Sequence, residues 1–318
     1  MLKIGNLSLK SNLILAPMAG VSDLPFRRLN RKFGAELAFV EMINCRSISF
    51  KSRRTQSMLS SGPKDKPLGI QLLGCEEKFI LKALDVLKSY KFDLLDFNAA
   101  CPAKKVVRRK EGAGLLKEPK KLKKLLKLVV KNSPVPVTVK IRTGWDKECV
   151  NAKEVALYSQ DAGVSGVFIH GRTKVQGYSG AVDYGSITKV KKALAIPVIA
   201  SGDILSAQLA QKMFSETGCD GLVIARGSFG NPWIFQEIKE FLRTGKIIPK
   251  PAKETVIKIM LEHLAASIDF YGERNGVVIF RKFFGWYTRG FRRIRPLREK
   301  SSRARTRLEM EGIIKRSC

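Results

Sequence analysis

Residues 197–227, PVIASGDILSAQLAQKMFSETGCDGLVIARG, contain two short apolar runs separated by an amphipathic segment. Each run is too continuously hydrophobic for a half-exposed antiparallel strand, so each predicts a strand buried in a parallel sheet. Between them, residues 206–218 have helical spacing and end on Gly218, a residue favoured just beyond the end of a helix. The stretch therefore predicts one strand–helix–strand unit of an α/β fold.

The same unit recurs along most of the chain. Amphipathic segments at residues 76–90 and 118–132 predict two further helices between strands. Eight such units over about 240 residues favour a (β/α)8 TIM barrel, and a doubly wound open sheet is the alternative. The eight apolar runs, spaced by roughly 25 to 40 residues, lie near Leu13, Phe39, Ile70, Leu95, Val139, Phe168, Val198 and Val223.

The pattern changes near residue 245. The segment from Gly245 to Pro251 is typical of a linker, and from about Glu254 onward every segment has helical spacing without a strand pattern. We therefore predict a barrel over residues 1–245, followed by a small all-helical domain over residues 246–318.

Composition indicates the kind of partner. The 318 residues include 59 Lys and Arg against 28 Asp and Glu, a formal net charge of +31. This charge exceeds what solubility requires and predicts that the protein binds a polyanionic partner. No apolar run approaches the roughly 20 residues of a spanning helix, and residues 1–20 are too polar for a signal peptide. We therefore expect a cytoplasmic protein that binds nucleic acid and no membrane.

Basic residues are concentrated in two regions. Residues 104–131 contain 12 Lys and Arg with 2 Asp and Glu, and residues 281–316 contain 13 with 3. Aromatic residues interleaved in the second region suit RNA better than lipid, although we expect most of these rings to pack inside the domain. The later lysines of the first region are equally compatible with the solvated face of a helix.

The cysteines show no C-x-x-C pair. Their scatter argues against a disulfide framework and against a zinc site, and it predicts reduced thiols without a metal. They are Cys45, Cys75, Cys101, Cys149, Cys219 and Cys318.

Polar residues close seven of the predicted strands, at the edge where barrels of this kind carry their active sites. Because such residues cost free energy unless they are solvated or paired, their convergence predicts a single polar site. The residues at these strand ends, polar and small, are Pro17, Met18, Ala19 and Gly20, then Gln71, Asn98, Cys101, Lys140, Arg142 and His170, and finally Ser201, Gly202, Asp203, Arg226 and Gly227.

The loops after the last two strands contain the glycines of a phosphate site, in ASGDI (200–204) and ARGSFGNP (225–232). Lys140 can then balance negative charge on a reduced flavin, and Gln71 and Asn98 can hydrogen-bond its polar edge. These features favour a flavin mononucleotide (FMN) site.

Seven ordered motifs resemble those of the tRNA-dihydrouridine synthase family, most closely its bacterial B-type branch, over residues from about 13 to 290. The resemblance implies a flavin-dependent oxidoreductase with an FMN-binding barrel and a helical tRNA-binding domain. The motifs are APMAGVSDLPFR (16–27), NAACPAKKV (98–106), VKIRTGW (139–145), IHGRT (169–173), SGDI (201–204), ARGSFGNPWIF (225–235) and RKFFGWY (281–287).

The resemblance also implies site residues, a reductant and a partner. The expected reductant is NADPH, the partner is tRNA, and the chain is expected to act as a monomer. The implied cofactor contacts are Pro17, Met18, Ala19, Gln71, Lys140, His170, Ser201, Gly202, Asp203, Ala225 and Arg226. Contacts to substrate or RNA are predicted for Asn98, Lys104, Lys105, Arg108, Arg109, Lys110, Arg142 and Arg172, with a structural role equally compatible for the last two.

By the same resemblance, Cys101 is the acid of the reaction. Reduction of the uracil 5,6 double bond adds a hydride from reduced flavin at C6 and a proton at C5. A thiol with the ordinary pKa of about 8.5 is protonated near neutrality and can donate. Lys104 and Lys105 would depress that pKa if they approached the thiol, so we expect them to point outward.

Three features depart from the family pattern. Ala99-Ala100 replaces Met-Gly before the cysteine, Ser201 replaces Asn, and Ala225 replaces Gly. Loss of the glycine is expected to alter the loop, and the phosphate-loop changes to lower flavin affinity. Two other functions remain open: a flavin barrel acting on a small molecule such as dihydroorotate, which would not need a charge of +31, and a non-catalytic RNA-binding protein.

Overall fold

A computed structural model describes residues 1–50 and 52–317 of the chain. Every pairing in its large sheet is parallel. The strands are β1 (Leu2–Ile4), β2 (Leu7–Leu9), β3 (Leu13–Leu15), β4 (Leu37–Phe39), β5 (Ile43–Asn44), β6 (Leu68–Leu73), β7 (Leu94–Asn98), β8 (Val137–Arg142), β9 (Gly166–His170), β10 (Val198–Ser201) and β11 (Gly221–Ile224).

The large sheet closes on itself. β11 pairs with β3, which places Leu222 opposite Leu13, and β4 pairs with β6, which places Ala38 opposite Leu68. The eight runs predicted from sequence form this ring, and the short strand β5 extends the second position beside β6. The (β/α)8 barrel is therefore confirmed, and the doubly wound open sheet was the wrong alternative.

The amino-terminal end of the barrel is closed by a hairpin that the sequence analysis did not predict. β1 and β2 pair antiparallel, and their side chains Leu2, Ile4 and Leu9 pack with residues of the barrel interior. Deeper inside, Phe39 packs edge-on against Phe168, with ring centroids 5.7 Å apart. Apolar side chains thus fill this half of the interior.

Helices surround the barrel and then form the carboxyl-terminal part. The predicted helix after β10 is capped by Ser206, whose hydroxyl accepts from the backbone N–H of Leu209, and by left-handed Gly218 with φ 64°. The helices are α1 (Leu24–Lys32), α2 (Cys45–Ser49), α3 (Arg53–Met58), α4 (Glu77–Leu87), α5 (Lys104–Val107), α6 (Pro119–Asn132), α7 (Ala152–Asp161), α8 (Tyr184–Ala193), α9 (Ala207–Thr217), α10 (Ile234–Thr244), α11 (Lys253–Tyr271), α12 (Glu273–Tyr287), α13 (Arg295–Arg303) and α14 (Arg307–Lys315). Two short 3-10 helices cover Gly112–Lys117 and Arg226–Ser228.

Helices α11 and α12 pack against α1 of the barrel. Phe283 of α12 stacks on Phe26 of α1 with ring centroids 5.5 Å apart. The hydroxyl of Tyr271 donates to Asp23, the N-cap residue of α1, over 3.0 Å. Aromatic residues of α12 are thus largely core, as predicted. Exposed basic residues surround this core, among them Arg289, Arg292, Arg293, Arg295, Arg303 and Arg305.

Three findings bear on the predicted absence of a membrane anchor, of disulfides and of a metal site. Within the described ranges, no helix is long and apolar enough to span a membrane. Five cysteines are free thiols there, and the same part of the chain contains no group of His, Cys, Asp or Glu that could hold a metal ion. Cys318 lies outside the described residues.

Candidate active site

A cavity of about 440 Å³ opens at the carboxyl ends of the barrel strands. That volume is in the usual range for cofactor and small-molecule sites. All eleven predicted cofactor contacts line it, together with Cys101, Asn98 and Arg142. The remaining predicted residues do not line it: Arg172 is buried behind the wall, and Lys104, Lys105, Arg108, Arg109 and Lys110 are exposed outside it.

Hydrogen bonds on both sides hold the Cys101 loop. The side-chain oxygen of Asn98 accepts from the backbone N–H groups of Ala100 and Cys101, each over 2.9 Å. The carbonyl of Cys101 accepts from the N–H of Ala113 over 3.0 Å. Ala100 does not have a positive φ. The loop therefore makes no use of the freedom that a glycine would give there, and the expectation that alanine alters it is not supported.

Burial keeps the Cys101 thiol protonated. Removal from water raises its pKa, and a hydrogen bond at the backbone of Ala103 and the charge of Arg142 offset only part of that increase. Lys104 and Lys105 are exposed on α5. The side chain is therefore a neutral proton donor at the cavity wall near pH 7.

Lys140 and His170 both line the cavity. Burial lowers the pKa of Lys140 to about 8, and the nearby Asp96 carboxylate opposes that shift. His170 is neutral, because burial and the charges of Arg142 and Lys140 lower its pKa to about 2. In the described part of the chain, its buried Nε2 has no hydrogen-bond partner. A cation and an unfilled imidazole nitrogen fit a polar, electron-rich ligand such as a flavin ring.

The opposite end of the cavity fits a phosphate. Gly202 has φ 135°, and a Cβ there would lie 2.9 Å from Val182. At Gly227 a Cβ would lie 2.1 Å from the carbonyl oxygen of Ile204, so the two glycine loops pack too closely for side chains. Such close loops leave backbone N–H groups accessible to an anion.

Charged side chains around Asp203 complete this end. Its carboxylate pairs with the guanidinium groups of both Arg172 and Arg226, and the hydrogen bond from Arg172 is the main cause that lowers the pKa of Asp203. Two cations thus share one anion, which leaves positive charge for a ligand at the more exposed Arg226. Ser201 turns its hydroxyl to the carbonyl of Ile169, at 3.1 Å.

Arg142 and Arg172 are tied into the protein. Arg142 donates to the carbonyl of Ala100 over 2.7 Å and to that of Gly177 over 2.8 Å, which links the Cys101 loop to the loop after β9. Arg172 donates to the carbonyl of Gly180 over 2.6 Å. These contacts fit the structural role that the sequence analysis considered for both arginines. Tyr178 is 59% exposed at the rim, and the guanidinium groups of Arg142 and Arg226 lie over its ring.

Among the residues that the sequence analysis missed in and around the site, Asp96 and Phe229 are the two that matter most for its organisation. Asp96 lies inside the barrel, 1% exposed, within the run LLDFN that was interpreted as a simple apolar strand. Its charge in an otherwise apolar strand was the available signal. Phe229 lines the cavity and stacks on Trp286. A contact of that kind leaves no local pattern in the sequence.

The fold and the cavity define a class of protein. A parallel barrel whose carboxyl-end cavity combines a glycine-bordered anion site with a buried lysine is typical of flavin-binding TIM barrels. Solved structures with this fold include a histamine dehydrogenase from Rhizobium sp. 4-9, with a TM-score of 0.58 at 13% identity over 83% of this chain and 50% of that one. Another is the 6-hydroxypseudooxynicotine amine oxidase of Pseudomonas geniculata N1, with a TM-score of 0.61 at 13% identity over 86% and 55%. This chain spans about half the length of both, and the likeness shows the fold alone.

Sequence comparison identifies the family. The dihydrouridine synthase (Dus) family matches residues 14–316. A probable tRNA-dihydrouridine synthase of Rickettsia bellii is 42% identical over 91% of this chain and 89% of its own length. The tRNA-dihydrouridine synthase B of Pseudomonas aeruginosa is 41% identical over 90% and 86%. The chain belongs to the dihydrouridine synthase family, and the predicted function, a flavin-dependent tRNA-dihydrouridine synthase, is confirmed at that level.

Proposed function

We propose that this chain uses FMN and NADPH to reduce the 5,6 double bond of specific uridines in tRNA, with Cys101 donating the proton to C5. The cofactor supplies the hydride for C6 when it is bound. The observation that carries the proposal is the position of Cys101, whose pKa is raised by burial, in the wall of the cavity that also contains Lys140 and His170. A proton donor and a flavin-compatible surface therefore share one space.

Residues at both ends of the cavity would hold the cofactor. Arg226 and the backbone N–H groups of segments 201–203 and 225–227 suit its phosphate. Lys140 supplies positive charge for an anionic ring, and the neutral Nε2 of His170 is available for a hydrogen bond. Pro17, Met18 and Ala19 form the adjoining wall.

Cys101 holds the proton at Sγ until the substrate base is in place. After transfer, the thiolate is stabilised by Arg142 and by the hydrogen bond at the backbone of Ala103, the two influences that lower its pKa. The side chain is partly exposed, so solvent can return the proton. Arg142 also holds the loop through the carbonyl of Ala100. Thus this arginine both positions the thiol and stabilises its product state.

The charge distribution suits tRNA. We assign cofactor binding and chemistry to residues 1–245 and tRNA binding chiefly to residues 246–318. Exposed basic residues of α5 follow Cys101 directly in the chain, and those of α12 to α14 cover the helical part. Contacts to the RNA backbone would offset the few kcal/mol that unstacking the target base costs. We further propose that the protein is cytoplasmic and acts as a monomer. Sedimentation of the purified enzyme tests the oligomeric state.

The deciding experiment measures dihydrouridine by mass spectrometry in unmodified tRNA, with NADPH or NADH as reductant. Wild type is compared with Cys101→Ala and with Cys149→Ala, a partly exposed cysteine outside the cavity. Wild type and Cys149→Ala should form dihydrouridine, faster with NADPH, whereas Cys101→Ala should form little while its flavin is still reduced.

Three other results would change the assignment. Equal product from Cys101→Ala would remove the acid role and leave the enzyme. Faster turnover with NADH would overturn the choice of NADPH. If wild type and variant both bind flavin and tRNA but neither forms product, the non-catalytic RNA-binding function becomes the better account.

A further inference from the structure

Asp96 is a buried carboxylate at the start of a hydrogen-bonded chain that leads to Cys101. Its Oδ2 accepts from Nε2 of Gln71 over 2.7 Å, and its Oδ1 accepts from the hydroxyl of Thr138 over 2.8 Å. Burial raises the pKa of Asp96 to about 6. A carboxylate inside a barrel costs free energy even when it is hydrogen-bonded, so its position calls for a compensating role.

Two amides continue the chain. Nδ2 of Asn98 donates to Oε1 of Gln71 over 2.8 Å, and Oδ1 of Asn98 accepts from the backbone N–H groups of Ala100 and Cys101. An amide side chain has a donor end and an acceptor end, and in isolation either orientation is possible. The hydrogen bonds at the two ends of this chain therefore decide both orientations.

Each end requires the same orientation. The backbone N–H groups of Ala100 and Cys101 can only donate, so Asn98 must present its oxygen to them and its NH₂ to Gln71. At the other end, an ionised carboxylate can only accept, so Gln71 must present its NH₂ to Asp96. Without the carboxylate, the NH₂ of Gln71 loses this acceptor, and the amide is free to rotate away from Asn98.

We propose that Asp96 is a positioning residue for Cys101, which anchors the amide of Gln71 and, through it, Asn98, and thereby holds the loop that carries the thiol. The catalytic consequence rests on the proposed function, but the effect on the position of the thiol does not. Lys140 is the charged neighbour that stabilises the carboxylate. In the described part of the chain, the side chain of Asp96 makes its hydrogen bonds to Gln71 and Thr138, so it acts on the Cys101 loop only through Gln71 and Asn98.

Three variants separate orientation from charge and from general stability. Asp96→Leu removes both acceptor oxygens and keeps the branched shape of the side chain. Asp96→Asn removes the charge but retains an oxygen for Gln71, because its NH₂ can face the hydroxyl of Thr138. Asp93→Leu is the matched control, since Asp93 accepts from the N–H of Leu68 over 2.7 Å at the opposite end of the barrel.

The first measurement needs no activity. Alkylation of Cys101 by iodoacetamide, followed by mass spectrometry of the flavin-loaded protein, reports the position and environment of the thiol. We expect its rate to change at least about threefold in Asp96→Leu and to stay within about twofold in the other two variants. Flavin content and melting temperature are recorded beside it.

The second measurement separates the two half-reactions. Oxidation of the reduced enzyme by tRNA should slow about tenfold or more in Asp96→Leu and recover largely in Asp96→Asn, while reduction by NADPH stays within about threefold. An unchanged alkylation rate in folded, flavin-loaded Asp96→Leu would overturn the proposal. It would also be overturned if Asp96→Asn slowed oxidation by tRNA as much as Asp96→Leu does. If Asp96→Leu does not fold, Gln71→Met breaks the same chain one link later and must change the alkylation rate. If wild type fails to react with tRNA, the proposed function fails and the alkylation comparison still decides the role of Asp96.

Discussion

Trp286 of α12 stacks on Phe229 in the cavity wall, with ring centroids 4.0 Å apart and ring planes 7° from parallel. At Gly230, the next residue, a Cβ would lie 2.4 Å from the backbone of Trp286. Phe229 belongs to the same loop as Arg226. The carboxyl-terminal helices therefore support the phosphate end of the cavity directly, besides presenting basic residues.

Replacing Trp286 tests this coupling. Trp286→Ala should lower the free energy of unfolding by up to about 3 kcal/mol, the lower part of the range for a large aromatic because the ring is half-buried. It should also weaken FMN binding severalfold, since Phe229 loses its support. Denaturant unfolding and titration of FMN fluorescence measure the two effects. Trp286→Phe retains a stacked ring and should lie near wild type, and normal FMN affinity in Trp286→Ala would contradict the coupling.

Gly112 packs directly against the backbone of Cys101. It has φ 58°, and a Cβ there would lie 2.8 Å from the carbonyl oxygen of Cys101. Gly112→Ala should therefore destabilise the protein by about 1–3 kcal/mol through backbone strain and slow uridine reduction more than tenfold. Gly114→Ala is the control, because its nearest new contact would be 3.5 Å away, and its rate should stay within about twofold. Steady-state dihydrouridine formation and thermal unfolding measure the two effects. Equal effects of Gly112→Ala and Gly114→Ala would exclude a role of Gly112 in supporting the Cys101 loop.

The raised pKa of Cys101 predicts the alkaline limit of the second half-reaction. The acid form is required, and its folded pKa lies above the ordinary value, so the rate should be level through neutrality. It should decline only above pH about 8.5, the pKa of an ordinary thiol. Stopped-flow oxidation of the reduced enzyme by tRNA between pH 6.5 and 10 provides the profile. Lys140, with a pKa of about 8, also loses its proton in this range, so only a decline centred below pH 7 would show that the thiol is activated rather than shielded.

The basic residues after Cys101 should contribute to the salt dependence of tRNA binding. Replacing Lys104, Lys105 and Arg108 by serine should reduce the slope of log K against log salt by about 2, because about 0.7 to 0.9 counterions are released for each phosphate contact. The same change at Lys120, Lys127 and Lys131, exposed on α6, should reduce it by less than about 1. Fluorescence anisotropy with unmodified tRNA at several KCl concentrations compares them. Equal slopes would assign no special role to α5.

The sequence by itself predicted the strands of the barrel and the edge that carries the site. A barrel strand is buried on both faces, so its pattern is a continuous apolar run that can be recognised locally, as at Gly221–Ile224. Capping is local too, as at Gly218. Because parallel strands all end at one mouth, residues such as Lys140 and Ser201 could be placed together without any knowledge of their contacts.

The tertiary structure alone decided which of those residues face the cavity and which are committed elsewhere. Closure pairs Leu222 with Leu13, about two hundred positions away in the chain, and the β1–β2 hairpin closes the other mouth. Arg172 is basic in the sequence, yet its burial and its pairing with Asp203 make it structural. The role of Asp96 likewise depends on Gln71 of the neighbouring strand. Burial and hydrogen-bond partners arise from elements far apart in the sequence, so a local pattern cannot contain them.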